Sequence, residues 1–219
     1  FQKFNIPDPW PFYFLKKETL MKGNNLDASF WDLRYENNQT GWDLKEVSPP
    51  IKKWLDNQEN KEINILIPGA GKGHEVKYAF DSGFKNVFYM DLSTQASDLF
   101  AKKCPLFPKD QILIEDFFSL NKSLFFDAVI EQTFFCALDP NLREDYVNKG
   151  FEILKSKGVI VGLLFNRKFE IEGPPFGGTF KEYEKLFSQK FIINKLEDST
   201  NSALPRKGYE FWIEFIKKN

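Results

Sequence analysis

Three glycines in five residues, Gly69-Ala-Gly71-Lys-Gly73, stand between an apolar run and a segment with helical spacing. Small residues let the backbone come close to a ligand, and the free N–H groups opening a helix attract electronegative atoms. The next apolar run ends at Asp91, where a carboxylate can accept hydrogen bonds from two ribose hydroxyls. After the third run, Asp116-Phe117 offers a polar group and a ring suited to the edge and face of adenine. Together these features predict a nucleoside ligand. A dinucleotide loop asks for G-x-G-x-x-G, but here the third glycine comes one residue early and His74 fills the dinucleotide position. The chain also closes on two strands with no helix between them, where a nicotinamide enzyme would continue with parallel strands. Both departures favour S-adenosylmethionine over NAD.

The remaining composition narrows the chemistry. The 219 residues contain one histidine and two cysteines. A Cys₂His₂ or His₃ metal site is therefore impossible, a disulfide framework is excluded, and any Ser-His-Asp relay would have to use His74. His74 opens a helix and reads as a turn residue rather than a base, and Cys136 as a small buried hydrophobe. Thirty Lys+Arg against 31 Asp+Glu give a net charge of −1, with no basic excess for a phosphate backbone. No apolar run approaches the ~20 residues of a membrane helix. Cysteine usage predicts a reducing, cytoplasmic setting and the partners are expected to be small molecules, with the protein a monomer.

The elements that must hold these residues follow from patterning. Apolar runs at 63–67, 86–90, 111–114, 125–130 and 158–165 alternate with helical segments at 74–81, 93–103 and 139–155. This predicts an α/β fold with a parallel sheet and helices on both faces. Runs one, four and five are continuously apolar, as in strands buried on both faces. A helix over 179–187 and strands over 191–196 and 209–217 end the chain, and the two strands must pair antiparallel if they pair. Residues 1–58 read as an aromatic arm or cap carrying Pro7, Pro9, Pro11, Trp10, Phe12, Tyr13 and Phe14, with short helices near 27–37 and 48–55. Residues 59–219 form the core of the same single domain.

Five stretches make the chain similar to the thiopurine S-methyltransferase family, including its plant-type halide/thiol branch. They are Trp31-Asp-Leu-Arg-Tyr35, Thr40-Gly-Trp42-Asp43, Ile67-Pro-Gly-Ala-Gly-Lys-Gly73, Glu131-Gln-Thr-Phe-Phe-Cys-Ala137 and Gly173-Pro-Pro-Phe176. The resemblance implies a class I methyltransferase fold, a Rossmann-like seven-stranded mixed sheet whose last strand is antiparallel, with the aromatic N-terminal arm as a lid. It implies that Trp31, Tyr35 and Trp42 enclose the sulfonium of S-adenosylmethionine. Position 35 carries Trp in plant-type members and Tyr here.

Aromatic faces suit a sulfonium, giving a cation–π contact of about 0.5–2 kcal/mol while excluding water. Glu131-Gln132 end the fourth strand, where either side chain can meet cofactor or acceptor, and the resemblance implies that Gln132 is the cofactor contact. Arg143 is either a solvated partner of Glu144 or Asp145 or, as the resemblance implies, a group that holds an anionic acceptor. The expected catalytic pair is Arg143 and Glu131. Cofactor contacts are expected at Trp31, Tyr35, Trp42, Gly69, Gly71, Gly73, Asp91, Asp116, Phe117 and Gln132, with no metal, and Gly173-Pro-Pro-Phe176 is expected to cover the acceptor. The implied activity is methyl transfer to a small thiol, hydrosulfide or halide. A non-catalytic S-adenosylmethionine-binding module and an NAD-dependent Rossmann oxidoreductase are the alternatives.

Overall fold

Seven strands run through a computed structural model that describes residues 26–120, 125–169 and 173–219. Trp10, Phe12, Tyr13, Phe14 and the prolines of the expected arm lie outside the described residues. β1 (Asn64–Pro68), β2 (Asn86–Asp91), β3 (Ile112–Ile114), β4 (Phe126–Gln132) and β5 (Leu154–Phe165) pair in parallel. β6 (Phe191–Asp198) and β7 (Glu210–Lys217) form the expected hairpin, and β7 lies antiparallel between β5 and β6. The order is β3-β2-β1-β4-β5-β7-β6, so the chain reverses sheet direction between β1 and β4. In open α/β sheets the ligand crevice forms at such a switch point, outside the carboxyl ends of the strands.

Strand alternation sends neighbouring side chains to opposite faces, and both faces are covered. On one face, Ile65, Ile67, Val87, Ala128 and Ile130 pack with residues of α2 (Pro49–Asp56), α3 (His74–Asp81) and α4 (Thr94–Lys103). On the other, Leu66, Met90, Val129, Ile160 and Phe215 pack with α5 (Arg143–Ile153) and α6 (Phe180–Phe187). This two-sided burial is why the runs of β1, β4 and β5 are so continuously apolar. α1 (Ala28–Glu36) is tied to α4, because Asp32 Oδ1 accepts from Ser93 Oγ and from Gln95 N.

One boundary differs from expectation. The predicted helix over 139–155 is instead a 3₁₀ turn at Pro140–Leu142 followed by α5, and the strand begins early, at Leu154. Leu154 takes extended torsions (φ −81, ψ 141) and pairs with Phe126. Burial of its side chain in the core, together with the Lys155–Asp127 ion pair at 2.7 Å, draws the chain out of the helix and into the sheet. A register shift follows, with Lys157 at φ 62.

Candidate active site

The carboxyl ends of β1 and β4 open into a cleft lined by Tyr35, Trp42, Asp43, the Gly69–Lys72 loop, His74, Glu75 and Gln132. Residues drawn from the segment after α1, the glycine loop and the end of β4 thus meet in one place.

The glycine loop is held from below. Gly71 N–H donates to Asp91 Oδ2 at 2.8 Å, and Tyr89 Oη donates to Gly71 O at 2.8 Å. Gly71 has φ +55, and a Cβ there would lie 2.7 Å from Tyr35 Oη, so the loop must approach the tyrosine with no side chain between them. Gly73 serves a different end. It is not among the residues lining the cleft, and a Cβ on it would overlap the Phe100 ring of α4. It permits close helix packing.

Asp91 ends β2 and is buried. Its Oδ1 accepts from Ser93 N at 2.8 Å, and burial pushes its carboxyl up to about 6. A carboxylate has about four lone-pair directions. Gly71 N–H and Ser93 N–H occupy two of them.

Tyr35 and Trp42 line the cleft beside the loop, and Trp31 stands behind Trp42, outside the lining residues. Trp42 meets Trp31 edge-on at 5.6 Å and Tyr35 edge-on at 5.8 Å, and it hydrogen-bonds to the Tyr35 side chain. Trp42 also packs against Cys136, Phe165 and Phe169. It is therefore shared between the cleft and an adjoining apolar cluster. Burial pushes the Cys136 thiol far up, so this sulfur stays protonated and is no nucleophile.

At the end of β4, alternation separates two neighbours. Gln132 lines the cleft, and its Oε1 is buried without a hydrogen-bond partner. An orphaned buried acceptor costs about 1–3 kcal/mol, so this site calls for a ligand donor. Glu131 turns the other way. Its Oε1 accepts from Phe134 N at 2.9 Å and Phe135 N at 2.8 Å, and its Oε2 from Tyr146 Oη at 2.8 Å. Burial pushes its carboxyl up to about 7. Glu131 closes the turn after β4 and does not line the cleft, which corrects its expected catalytic role.

The Phe117 ring is not free to meet an adenine face, and Asp116 caps a turn. The Phe117 ring is 3% exposed and lies against Tyr146 at 5.3 Å and Phe134 at 5.3 Å, so its faces belong to the core. Asp116 is exposed and accepts from Phe118 N at 3.0 Å as a turn cap. Arg143 is not the solvated ion-pair partner. Its Nη2 donates to Gly177 O at 2.9 Å, its guanidinium lies 4.9 Å from the Phe135 ring, and its Nε is buried with no hydrogen-bond partner. The Gly173–Phe176 turn is tied to the same region, with Phe176 N donating to Cys136 O at 2.7 Å.

A polar cluster was missed in the sequence. Asp43 Oδ2 accepts from Lys72 Nζ at 2.9 Å, and its Oδ1 meets His74 Nε2 at 2.8 Å and Lys45 N at 2.8 Å. Lys103 Nζ sits 2.8 Å from His74 Nδ1. An ammonium can only donate, so Nδ1 accepts and the ring proton resides on Nε2, facing Asp43. Burial opposes ionisation of Asp43, but the hydrogen bonds from His74, Lys72 and Lys45 outweigh it and hold the carboxyl well below the usual range. The only prior signal was Asp43 in one matched motif and Lys72 in another, with His74 directly after the second.

The family model for thiopurine S-methyltransferase matches residues 26–213. The probable thiol methyltransferase 2 of Arabidopsis thaliana is 31% identical over 184 residues, covering 82% of this chain and 81% of that protein. Thiocyanate methyltransferase 1 of Brassica oleracea is 28% identical, covering 84% and 83%. The thiopurine S-methyltransferase of Vibrio vulnificus is 26% identical, covering 82% and 90%. Among solved structures, the 1,6-didemethyltoxoflavin-N1-methyltransferase of Burkholderia thailandensis, with S-adenosylhomocysteine bound, superposes with a TM-score of 0.68 at 16% identity, covering 88% of this chain and 87% of that one. A TehB-like S-adenosylmethionine-dependent methyltransferase from Corynebacterium glutamicum gives 0.61 at 16% identity, covering 87% and 98%. These two likenesses concern the fold.

Proposed function

The chain belongs to the thiopurine S-methyltransferase family and is an S-adenosylmethionine-dependent methyltransferase, and on that premise we propose that its acceptor is a small thiol or hydrosulfide. The observation that carries the cofactor placement is the orphaned Gln132 Oε1 in the wall of a cleft that also holds Tyr35, Trp42 and the glycine loop. Asp91 holds the ribose hydroxyls on its carboxylate oxygens, Gly69 and Gly71 bring the backbone close, and Gln132 accepts from the amino-acid end. Trp31, Tyr35 and Trp42 surround the sulfonium and exclude water. When bound, the cofactor supplies an electrophilic methyl group on a sulfonium, which an acceptor sulfur takes by in-line displacement.

The chain contributes alignment and desolvation rather than proton transfer. Glu131 is engaged by three donors away from the cleft, and Asp43 is held ionised by its own donors, so neither serves as a strong base. A thiol with an ordinary pKa of ~8.5 is already partly ionised near neutral pH and needs none. Arg143, whose Nε lacks a hydrogen-bond partner, holds the anionic acceptor. The cluster of Cys136, Phe165, Phe169 and Trp42 gives the acceptor side an apolar wall that suits a soft nucleophile. Both cysteines are free and buried, which fits a reducing, cytoplasmic setting, and the protein acts as a monomer.

Turnover with hydrosulfide, a small alkyl thiol, thiophenol, thiocyanate and iodide tests the acceptor. Hydrosulfide or the alkyl thiol should show the highest kcat/KM. Preference for iodide or thiocyanate would replace the sulfur reading with the halide-type one, and binding without methylated product from any acceptor would favour a non-catalytic module.

A further inference from the structure

Trp42 sits in residues 37–48, a stretch with neither helix nor strand, so little regular structure fixes its ring. Side chains from distant parts of the chain grip its two flanks instead. On the carboxyl side, Asp43 is only 8% exposed and takes hydrogen bonds from His74 Nε2, Lys72 Nζ and Lys45 N. On the carbonyl itself, Arg206 Nη2 donates to Trp42 O at 2.6 Å from the turn between β6 and β7, 164 residues away. Arg206 is 1% exposed and lies 3.4 Å from Glu210. A buried ion pair adds little net stability compared with apolar residues of the same volume, so packing alone does not account for a guanidinium here. Its fixed fork of donors is suited to orienting a carbonyl.

We infer that Asp43, gripped by Lys72 and His74, and Arg206 are positioning residues that clamp the Trp42 segment from both sides and so hold its ring on the cleft. This rests on the reading above that Trp42 is part of the sulfonium wall. A relay through His74 is the other use of the same contacts. The ring proton directed at an already ionised, triply bonded carboxylate argues against it.

The charge on the ligand separates a clamp from general scaffolding. S-adenosylmethionine carries the sulfonium, and S-adenosylhomocysteine carries a neutral sulfur of nearly the same shape. Displacing the Trp42 ring removes a cation–π contact from the first ligand only. Calorimetric titration of both ligands should show Asp43→Asn and His74→Leu each lowering the ratio of S-adenosylmethionine to S-adenosylhomocysteine affinity by about 2- to 30-fold, the range set by a cation–π contact. His74→Gln, which keeps an N–H donor, should restore most of that ratio.

Trp42→Leu should show the full effect, and adding Asp43→Asn to it should change the ratio no further. An equal fall for both ligands in Asp43→Asn and His74→Leu would overturn the clamp while leaving the wall intact. An unchanged ratio in Trp42→Leu would overturn the wall, and the clamp with it. If Asp43→Asn does not fold, the His74→Leu and His74→Gln pair decides alone.

Discussion

The Asp91 carboxylate spends one oxygen on Gly71 N–H and the other on Ser93 N–H, so it supports the glycine loop, and the proposed cofactor placement gives it the ribose hydroxyls as a second task. Asp91→Ala should therefore weaken S-adenosylhomocysteine binding about tenfold or more, as expected when hydrogen bonds of about 1.5–3 kcal/mol to a charged group are lost. The two roles are separable with a 2′-deoxy ligand. If the carboxylate holds the ribose, the loss on mutation shrinks when the hydroxyl is already missing, and an equal loss with both ligands would assign Asp91 to loop support alone. A pH dependence belongs to the same residue. With its carboxyl pushed up to about 6, Asp91 is neutral at pH 5 and ionised at pH 7, and the ionised form is the better acceptor for hydroxyl protons. Affinity should rise across that interval, and Asp91→Asn should flatten the rise. A slope that survives in Asp91→Asn would move the titration to another group.

At the scale of elements, β4 and β5 pair Glu131 with Gly162. Gly162 has φ +153, and a Cβ there would overlap the Glu131 carbonyl. Because backbone is the obstacle, no rotamer relieves it, and Gly162→Ala should lower stability by about 3 kcal/mol or more in urea denaturation. A loss under 1 kcal/mol would mean that the two strands separate easily. Gly162 passed unnoticed in the sequence because β5 is legible only as an apolar run, which reveals burial but not the spacing between strands. β1, β4 and β5 were legible for the same reason: helices cover both faces, so these strands are marked by continuous apolarity, whereas β6 and β7 show only as mixed apolar stretches at the end of the chain. The start of β5 was not legible, because Leu154 fits the helical period of α5 as well as it fits a strand, and its burial in the sheet decides. In the site, Asp91 and Gln132 were legible as strand ends next to a glycine loop. The division between Glu131 and Gln132 depends on which face each meets, a matter of one residue of strand phase. Phe117 was misread because aromatic type does not say whether a ring faces a ligand or Tyr146. The Asp43–His74 pair spans 31 residues and required the folded loop.

The molecule as a whole stores unequal proton affinities, and its stability should follow them. Burial pushes Glu131 up to about 7 and Asp91 up to about 6, from ordinary values of 4.5 and 3.8. For each, the folded state binds a proton more tightly than the unfolded chain. Their stabilising contribution is complete below the unfolded value and is lost as pH rises through the folded one. Asp43, held below its ordinary 3.8, has the opposite sign: its contribution is present above that value and is lost as pH falls. Without ligand, stability should then be greatest near pH 5 and decline toward pH 8. The Glu131 share is about 3 kcal/mol, since each pKa step corresponds to about 1.4 kcal/mol. Glu131→Gln isolates that share. Its amide oxygen can still accept from Phe134 N and Phe135 N, and its amide nitrogen can donate to Tyr146 Oη, so the turn after β4 keeps its ties without a buried charge. The variant should match the parent near pH 5, exceed it at pH 8, and show a shallower decline between them in urea midpoints. Equal slopes for variant and parent would remove Glu131 from the balance. If it remains, the carboxylate expected to act on substrate is instead one that the fold favours in its protonated form.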